Sequence, residues 1–397
     1  MSKHTQHLCV AILAALLATS FLACGDEEEE GEGSGEAVET VSLGSVTVGD
    51  LNNDNSANAI TVSVPSGAES VVLVFDGAPA GALIAIERIT SPDGTVVFDL
   101  FNGPATNRVD TSEGLYSVLI PNNPAVALTE GDWQVIVVTQ GSEFSVNGTA
   151  IIKNEAGSGT MDLNLFFAGV DGLDSTTAPM DSDFQAVLSD VGAIYGTAGI
   201  TIGETNYIDV SDEALAVVEG DAELATLFRQ SSSQSNRALN FFFVKDLVGN
   251  DAGFTLLGKA GGVPGPSIQH GTDKSGVVVN MGNYIAAKAS GDAAMLTEAL
   301  DQVEIIMAHE AGHYLGLYHT VERNGTALDE NGITGTDPLD DTVTCPDSAD
   351  ANGDMVLAPS ECAGQGGDNL MFWSPPNDAR TLTSSQGTVL KKNPVLK

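Results

Sequence analysis

Three of the chain's six histidines fall within eleven residues, in "MAHEAGHYLGLYHT", Met307 to Thr320. His309 and His313 are four apart, so on a helix both imidazoles leave the same face, one turn separated. Glu310 lies between them in sequence and can reach the space in front of them. Gly316 follows three residues after His313. A glycine there can take the left-handed conformation that ends a helix and turns the chain sharply. That turn would carry His319 back towards the first two rings. Three neutral imidazoles can hold one zinc ion and leave a position open for water. Such a metal makes the water acidic, and Glu310 is placed to take its proton and later deliver one to a leaving amine. The plain alternative is a surface cluster of histidines. Against it, the preceding run "LDQVEIIMA" is apolar enough to bury the helix.

A long helix from about Asp292 to Gly316 must carry this motif. From about residue 158 the chain alternates apolar runs with helical patterns. "MDLNLFFAGV", "ITIGETNYIDV", "ALNFFFVKDL" and "SGVVVNMG" read as strands. "DSDFQAVLSDVGAIYGTAG" repeats Phe184, Val187, Leu188, Val191 and Tyr195 at helical spacing, and "ELATLFRQS" is a shorter helix. This order predicts an α/β sheet in a catalytic domain over residues 158–397. Thr383 followed by Gln386 is a capping box and predicts a short closing helix. His270, in "GPSIQHGTDKSG", reads as an exposed loop histidine. Residues 41–153 differ. Short runs such as "AITVSV", "SVVLVF", "YSVLI" and "DWQVIVV" recur between Gly, Pro, Asn and Asp clusters, the rhythm of an antiparallel β-sandwich or jelly roll. This accessory domain has no His and no Cys. Spacer, surface-binding module and removable pro-segment are its possible roles.

The spacing His-Glu-x-x-His-x-x-Gly-x-x-His is the extended zinc motif of the metzincin metallopeptidases, which this chain resembles. Within that clan the chain is most similar to the pappalysin-like (cytophagalysin) family. The resemblance rests on "GHYLGLYHT", the Asp-rich "TDPLDDTVTC", a cysteine pair and "NLM". It is specific from 305 to 373 and loose over 160–397. It implies a zinc endopeptidase whose Met371, in "GGDNLMFW", forms a Met-turn beneath the metal. It also implies an extended protein or peptide substrate lying along an edge strand. A calcium site is implied at Asp337, Asp340, Asp341, Thr342 and Thr344. Two departures stand out. Trp373 replaces the tyrosine that in the family steadies the oxyanion, and "DTV" replaces "DTP". Oxyanion support then falls to Trp373 or Tyr318. Outside the family pattern, Asp347, Asp350, Asn352 and Asp354 look like part of a calcium loop that lacks a distal glutamate at the proper offset. Asp50, Asn52 and Asp54 are a weaker string of the same kind, since turn-rich β proteins produce such strings freely.

With 15 basic and 54 acidic residues, the net charge is -39. That excludes nucleic acid as a partner, because nothing here could neutralise a row of phosphates. Residues 1–23 read as an export signal: Lys3 and two histidines precede the apolar run Leu8 to Ala23. "FLACGDEEEE" resembles a bacterial lipobox, with Phe21 and Leu22 as departures. Cys24 would carry the lipid, and ordinary cleavage is the alternative. Residues 24–40 read as an acidic, Gly-rich tether. The protein is then exported, and either lipid-anchored at the outer membrane or cell surface, or secreted. Its contact with membrane is through a lipid anchor alone, and its oligomeric state stays open. Cys345 and Cys362 remain as an even pair in an oxidising compartment, which favours a disulfide. Zinc ligation is the rival, though the short Cys-x-x-Cys hooks are missing. The expected whole is an all-β sandwich or jelly roll joined to an α/β metzincin-type zinc peptidase. A zinc-bearing surface adhesin with vestigial catalysis is the competing function.

Overall fold

A run of apolar residues without alternation must be covered on both faces, and the N-terminal strands show this. The computed structural model describes residues 37–51, 59–101, 106–248, 256–323 and 337–397. The export signal, Cys24, most of the tether, Asn52 and Asp54 lie outside the described residues. Nine strands come first: β1 (Val38–Asp50), β2 (Ile60–Val64), β3 (Ser70–Asp76), β4 (Leu83–Thr90), β5 (Val96–Asp99), β6 (Ser112–Glu113), β7 (Tyr116–Ile120), β8 (Gly131–Thr139) and β9 (Phe144–Lys153). They hydrogen-bond in the order β5-β4-β8-β1-β9-β3-β7, with β2 on β8 and β6 on β4. β1 joins the two layers. It pairs with β9 over most of its length and, through Gly49 and Asp50, with β8. It starts at Val38, so Val38, Glu39 and Thr40, which composition places in the tether, pair with Lys153, Ile152 and Ile151.

Alternate residues of β3 enter different cores. Val71, Leu73 and Phe75 join the sandwich interior with Trp133, Val135 and Val137 of β8. Val72 and Val74, with Leu119 of β7 and Ile151 of β9, join the core of the second half of the chain. One sheet thus walls both cores.

The second half contains β10 (Thr160–Ala168), α1 (Ser182–Gly196), β11 (Thr201–Asp209), β12 (Val217–Val218), α2 (Asp221–Phe228), β13 (Leu239–Val244), β14 (Asp246–Leu247), β15 (Gly258–Ala260), β16 (Val277–Asn280), α3 (Gly282–Ser290), α4 (Ala293–Leu315) and α5 (Ser384–Lys392). Its main sheet has the order β11-β10-β13-β16-β15. β11, β10, β13 and β16 run parallel, and β15 runs antiparallel to β16 at the edge. Parallel strands need cover on both faces. Leu163, Leu165, Phe241 and Phe243 face α1 and α4, whereas Phe166, Phe242 and Val278 face α2. No helix among the described residues is long and apolar enough to cross a membrane.

A polar ladder crosses this sheet. Asn164 is paired in register with Asn206 and Asn240 and hydrogen-bonds both. His270 ends the ladder, which corrects the exposed-loop expectation. It is half-buried, with Nδ1 3.0 Å from Asn240 Nδ2 and Nε2 2.7 Å from the Asn236 carbonyl.

The C-terminal tail is held by a buried lysine. Lys153 is 1% exposed, and its Nζ donates to the carbonyls of Lys391 (2.6 Å) and Leu396 (2.8 Å). Burial pushes its pKa from the ordinary 10.5 down to about 8. Between those values the unfolded chain binds the extra proton, so this group's contribution to stability rises with pH. Lys153→Met removes it. The unfolding free energies of parent and variant, measured by denaturant titration, should diverge in the parent's favour from pH 8 to 10.5, by up to about 3 kcal/mol. A difference that stays flat would contradict the burial of the charged amine.

Candidate metal centre

The motif helix α4 is capped at both ends. Asp292 accepts from the amides of Ala294 (2.8 Å) and Met295 (3.2 Å). Gly316 ends it with φ at 115°, and the Leu317 amide bonds back to the Gly312 carbonyl at 2.9 Å. A side chain is excluded at Gly316 twice over. The φ is left-handed, and an added Cβ would lie 2.9 Å from Leu119 Cδ2 of the sandwich. Asn393 Nδ2 donates to the Leu315 carbonyl at 3.2 Å, satisfying one of the helix's last acceptors.

Past that turn His319 swings back. His313 Nε2 lies 3.1 Å from His309 Nε2 and 3.1 Å from His319 Nε2. The opposite ring nitrogens all face acceptors: His309 Nδ1 the Leu370 carbonyl at 2.8 Å, His313 Nδ1 the Leu317 carbonyl at 2.7 Å, and His319 Nδ1 the Glu322 carboxylate at 3.1 Å. A carbonyl can only accept, so the protons of His309 and His313 sit on Nδ1 and their Nε2 lone pairs point inward. Burial pushes His309 down to about 3 and holds His313 well below the usual imidazole range, and the neighbouring rings add to both effects. Lone pairs in contact repel unless a cation lies between them. The donor set therefore fits a metal ion, and imidazole nitrogen suits zinc. Among the described residues, these three form the one group of three or more metal-ligating side chains whose ligand atoms lie within 4.8 Å of one another.

Glu310 faces β15. The Ala260 backbone favours its charged form, and a Cβ on Gly258 would lie 2.8 Å from its Cγ. Burial raises its pKa to about 7, opposed by the Ala260 backbone and the charge of Lys259. Met371 is fully buried under α4. A Cβ on Gly312 would sit 2.6 Å from its sulfur, and its carbonyl accepts from the Thr320 amide at 2.9 Å. The turn that holds Met371 thus also presents the Leu370 carbonyl to His309.

Other expected site residues are committed elsewhere. Trp373 Nε1 donates to the Leu357 carbonyl at 2.8 Å. Tyr318 is buried, its hydroxyl 3.2 Å from the Val263 carbonyl, with the Arg108 guanidinium 4.2 Å over its ring. Asp337 accepts from the Thr342 hydroxyl at 2.5 Å, and Asp341 caps α5 by accepting from Thr383 Oγ1 and the Ser385 amide, both at 2.9 Å. Asp340 and Thr344 are exposed. Cys345 and Cys362 form a disulfide with Cα atoms 5.6 Å apart, which removes them as zinc ligands. Glu361 corrects the expectation that the Asp350 loop has no distal glutamate: counted from Asp350, it is the twelfth residue (361 - 350 + 1 = 12). Its oxygens accept from the amides of Ala351 (3.0 Å) and Ala358 (2.9 Å), so the loop closes on its own backbone. Sequence reasoning also misses Leu370 and Glu322, because the roles of a carbonyl and of a partner carboxylate depend on contacts that no spacing rule encodes.

No family model matches the chain. Two curated proteins, both named extracellular metalloprotease and both from Arthroderma otae, are similar to part of it. One is 24% identical over 178 residues, 43% of this chain and 57% of its own length. The other is 28% identical over 195 residues, 48% of this chain and 60% of its own length. The chain spans about three-fifths of the length of these relatives. Among solved structures, metalloproteinase-II from Bacteroides fragilis aligns over 49% of this chain and 59% of that chain, at 16% identity and a TM-score of 0.26. That score carries no argument about fold. The similarity of this chain is to extracellular metalloproteases, at low identity and over part of its length.

Proposed function

We propose that the chain is an exported zinc endopeptidase of the metzincin type, closest in kind to the pappalysin-like enzymes. The observation that carries this reading is the convergence of three Nε2 atoms whose rings are each fixed through Nδ1. The extended motif, the Asp-rich stretch, the cysteine pair and "NLM" support the family. The names of the two curated relatives support both peptidase activity and export. Cys24 remains the residue that a lipid anchor would use.

His309, His313 and His319 would hold the zinc ion. When bound, it supplies Lewis acidity, acidifying a water and polarising a peptide carbonyl. Glu310 accepts the proton that the attacking water loses and hands it to the departing amine nitrogen, so the proton count closes. β15 is an edge strand, and a free strand edge can pair with an extended peptide. Antiparallel pairing there lays the substrate past Glu310. Met371 holds the helix floor, and the Leu370 carbonyl fixes the ring plane of His309. The shared sheet argues for the sandwich as a permanent wall of the catalytic core rather than a removable pro-segment.

Glu310→Gln keeps the side-chain shape but cannot take a proton. It should lower kcat/KM on peptides by at least about a hundredfold while one zinc per chain is retained, as read by metal analysis. Full activity in this variant would contradict the role given to Glu310. Metal removal gives a second check. Zinc binds the folded triad, so chelation should lower the melting temperature, with a stability loss of about 4 kcal/mol where free zinc stood a thousandfold above its dissociation constant. It should also end casein digestion. An identical melting curve with and without chelator would count against the triad as a metal site.

A further inference from the structure

The loop that follows β15 closes over a cavity of about 200 Å³ together with the sandwich. Its walls are Gly261–Pro264 on one side and Asp110–Ser112 and Leu115–Ser117 on the other, with Lys274 between them. The cavity adjoins the catalytic edge directly. Gly261 follows β15, where a Cβ on Gly258 would lie 2.8 Å from Glu310 Cγ, and the Val263 carbonyl faces the hydroxyl of Tyr318, the neighbour of His319.

Two polar groups in this cavity lack the partners their chemistry asks for. Ser117 is 6% exposed and its hydroxyl has no hydrogen-bond partner. It lies on β7 between Tyr116 and Val118, so it shares the face of Leu115 and Leu119 that looks towards the catalytic core. Lys274 is half-buried, and its ammonium donates to the hydroxyl of Ser112 rather than to a carboxylate. The nearby carboxylates are occupied. Asp221 takes Lys259 at 2.7 Å, Asp273 takes Arg229 at 2.6 Å, and Asp110 takes Arg108 at 3.2 Å. Glu113 is exposed. Desolvation, with the charge of Lys259 adding to it, pushes Lys274 down to about 8 against the opposing pull of Asp221, Glu113 and Asp273.

We propose that this cavity is a substrate subsite for an acidic side chain, Asp or Glu, N-terminal to the cleaved bond, with the Lys274 ammonium and the Ser117 hydroxyl as its partners. The assignment rests on the peptidase reading above. A peptide antiparallel to β15 runs with its N-terminal half towards Gly261–Pro264, which places that half at the cavity mouth. A carboxylate entering there accepts from both groups and supplies the missing counter-charge. The chain as a whole carries a charge of -39 and repels acidic peptides. The preference is therefore local, and it weakens in salt to the extent that the cavity stays wet.

The test is a peptide-library cleavage profile of the zinc-loaded full chain. The parent should favour Glu or Asp over Gln or Asn by about tenfold at one position N-terminal to the cut, a charged hydrogen bond's share of binding. Lys274→Met should reduce that ratio to about twofold or less, Lys274→Glu should reverse it towards Lys and Arg, and Lys274→Arg should keep it. Zinc content and melting temperature identify any variant that fails to fold. Ser117→Ala then takes the place of such a variant: it should lower the ratio in part, and an unchanged ratio overturns the subsite. A parent that cleaves acidic and neutral peptides alike overturns this proposal and leaves the peptidase reading standing. So does a folded Lys274→Met that keeps the full ratio. A parent that cleaves no peptide at all overturns both.

Discussion

Three imidazole lone pairs meeting at hydrogen-bond distance is the constraint that organises this protein. Two Nε2–Nε2 contacts of 3.1 Å are unfavourable between neutral rings unless a cation lies between them. The surrounding structure holds the rings there through their outer nitrogens, using two carbonyls and a carboxylate from two segments, the stretch after α4 and the Met371 turn. Each of those acceptors has its own support. The Leu317 carbonyl is placed by the glycine turn, the Leu370 carbonyl by the Met371 turn, and Glu322 by the parallel bridge of Val321 with Phe372. The disulfide and the small cluster of Val321, Leu357 and Phe372 hold the same region from outside.

Close approach is the second requirement, and glycines meet it. At Gly312 the helix comes near enough to the Met371 sulfur that a methyl group would collide with it, and at Gly316 the helix end reaches the sandwich residue Leu119. The sandwich is therefore not a passive neighbour. Its β3, β7 and β9 strands supply one wall of the core that α4 packs into, and Arg108 stacks on Tyr318 beside His319. A small displacement of that wall would reach the histidines through the turn at Gly316.

The convergence of the three histidines, the helix that carries two of them and its glycine cap were legible because they are local: helical period, cap chemistry and a left-handed glycine act within a few residues. The β-rhythm of residues 41–153 and the main strands of the second half were legible for the same reason. β15 was not. Three residues, Gly258 to Ala260, are too short to show alternation, and their strand character comes from pairing with β16. The shared sheet did leave a signal, since "VVLVF" is an unbroken apolar run and such strands are buried on both faces. The burial of His270 left none, because it depends on an asparagine ladder built from three strands and a loop. The engagement of Asp341 with α5 was hidden in the same way, by a contact across forty-four positions to Ser385.

X-ray absorption at the zinc edge of the purified chain tests the central claim most directly. The account predicts one zinc per chain with three imidazole nitrogens at about 2.0–2.1 Å and a light-atom fourth neighbour, and loss of that signal in His319→Ala. A sulfur neighbour, fewer than three imidazoles, or a folded chain that takes up no zinc would contradict it.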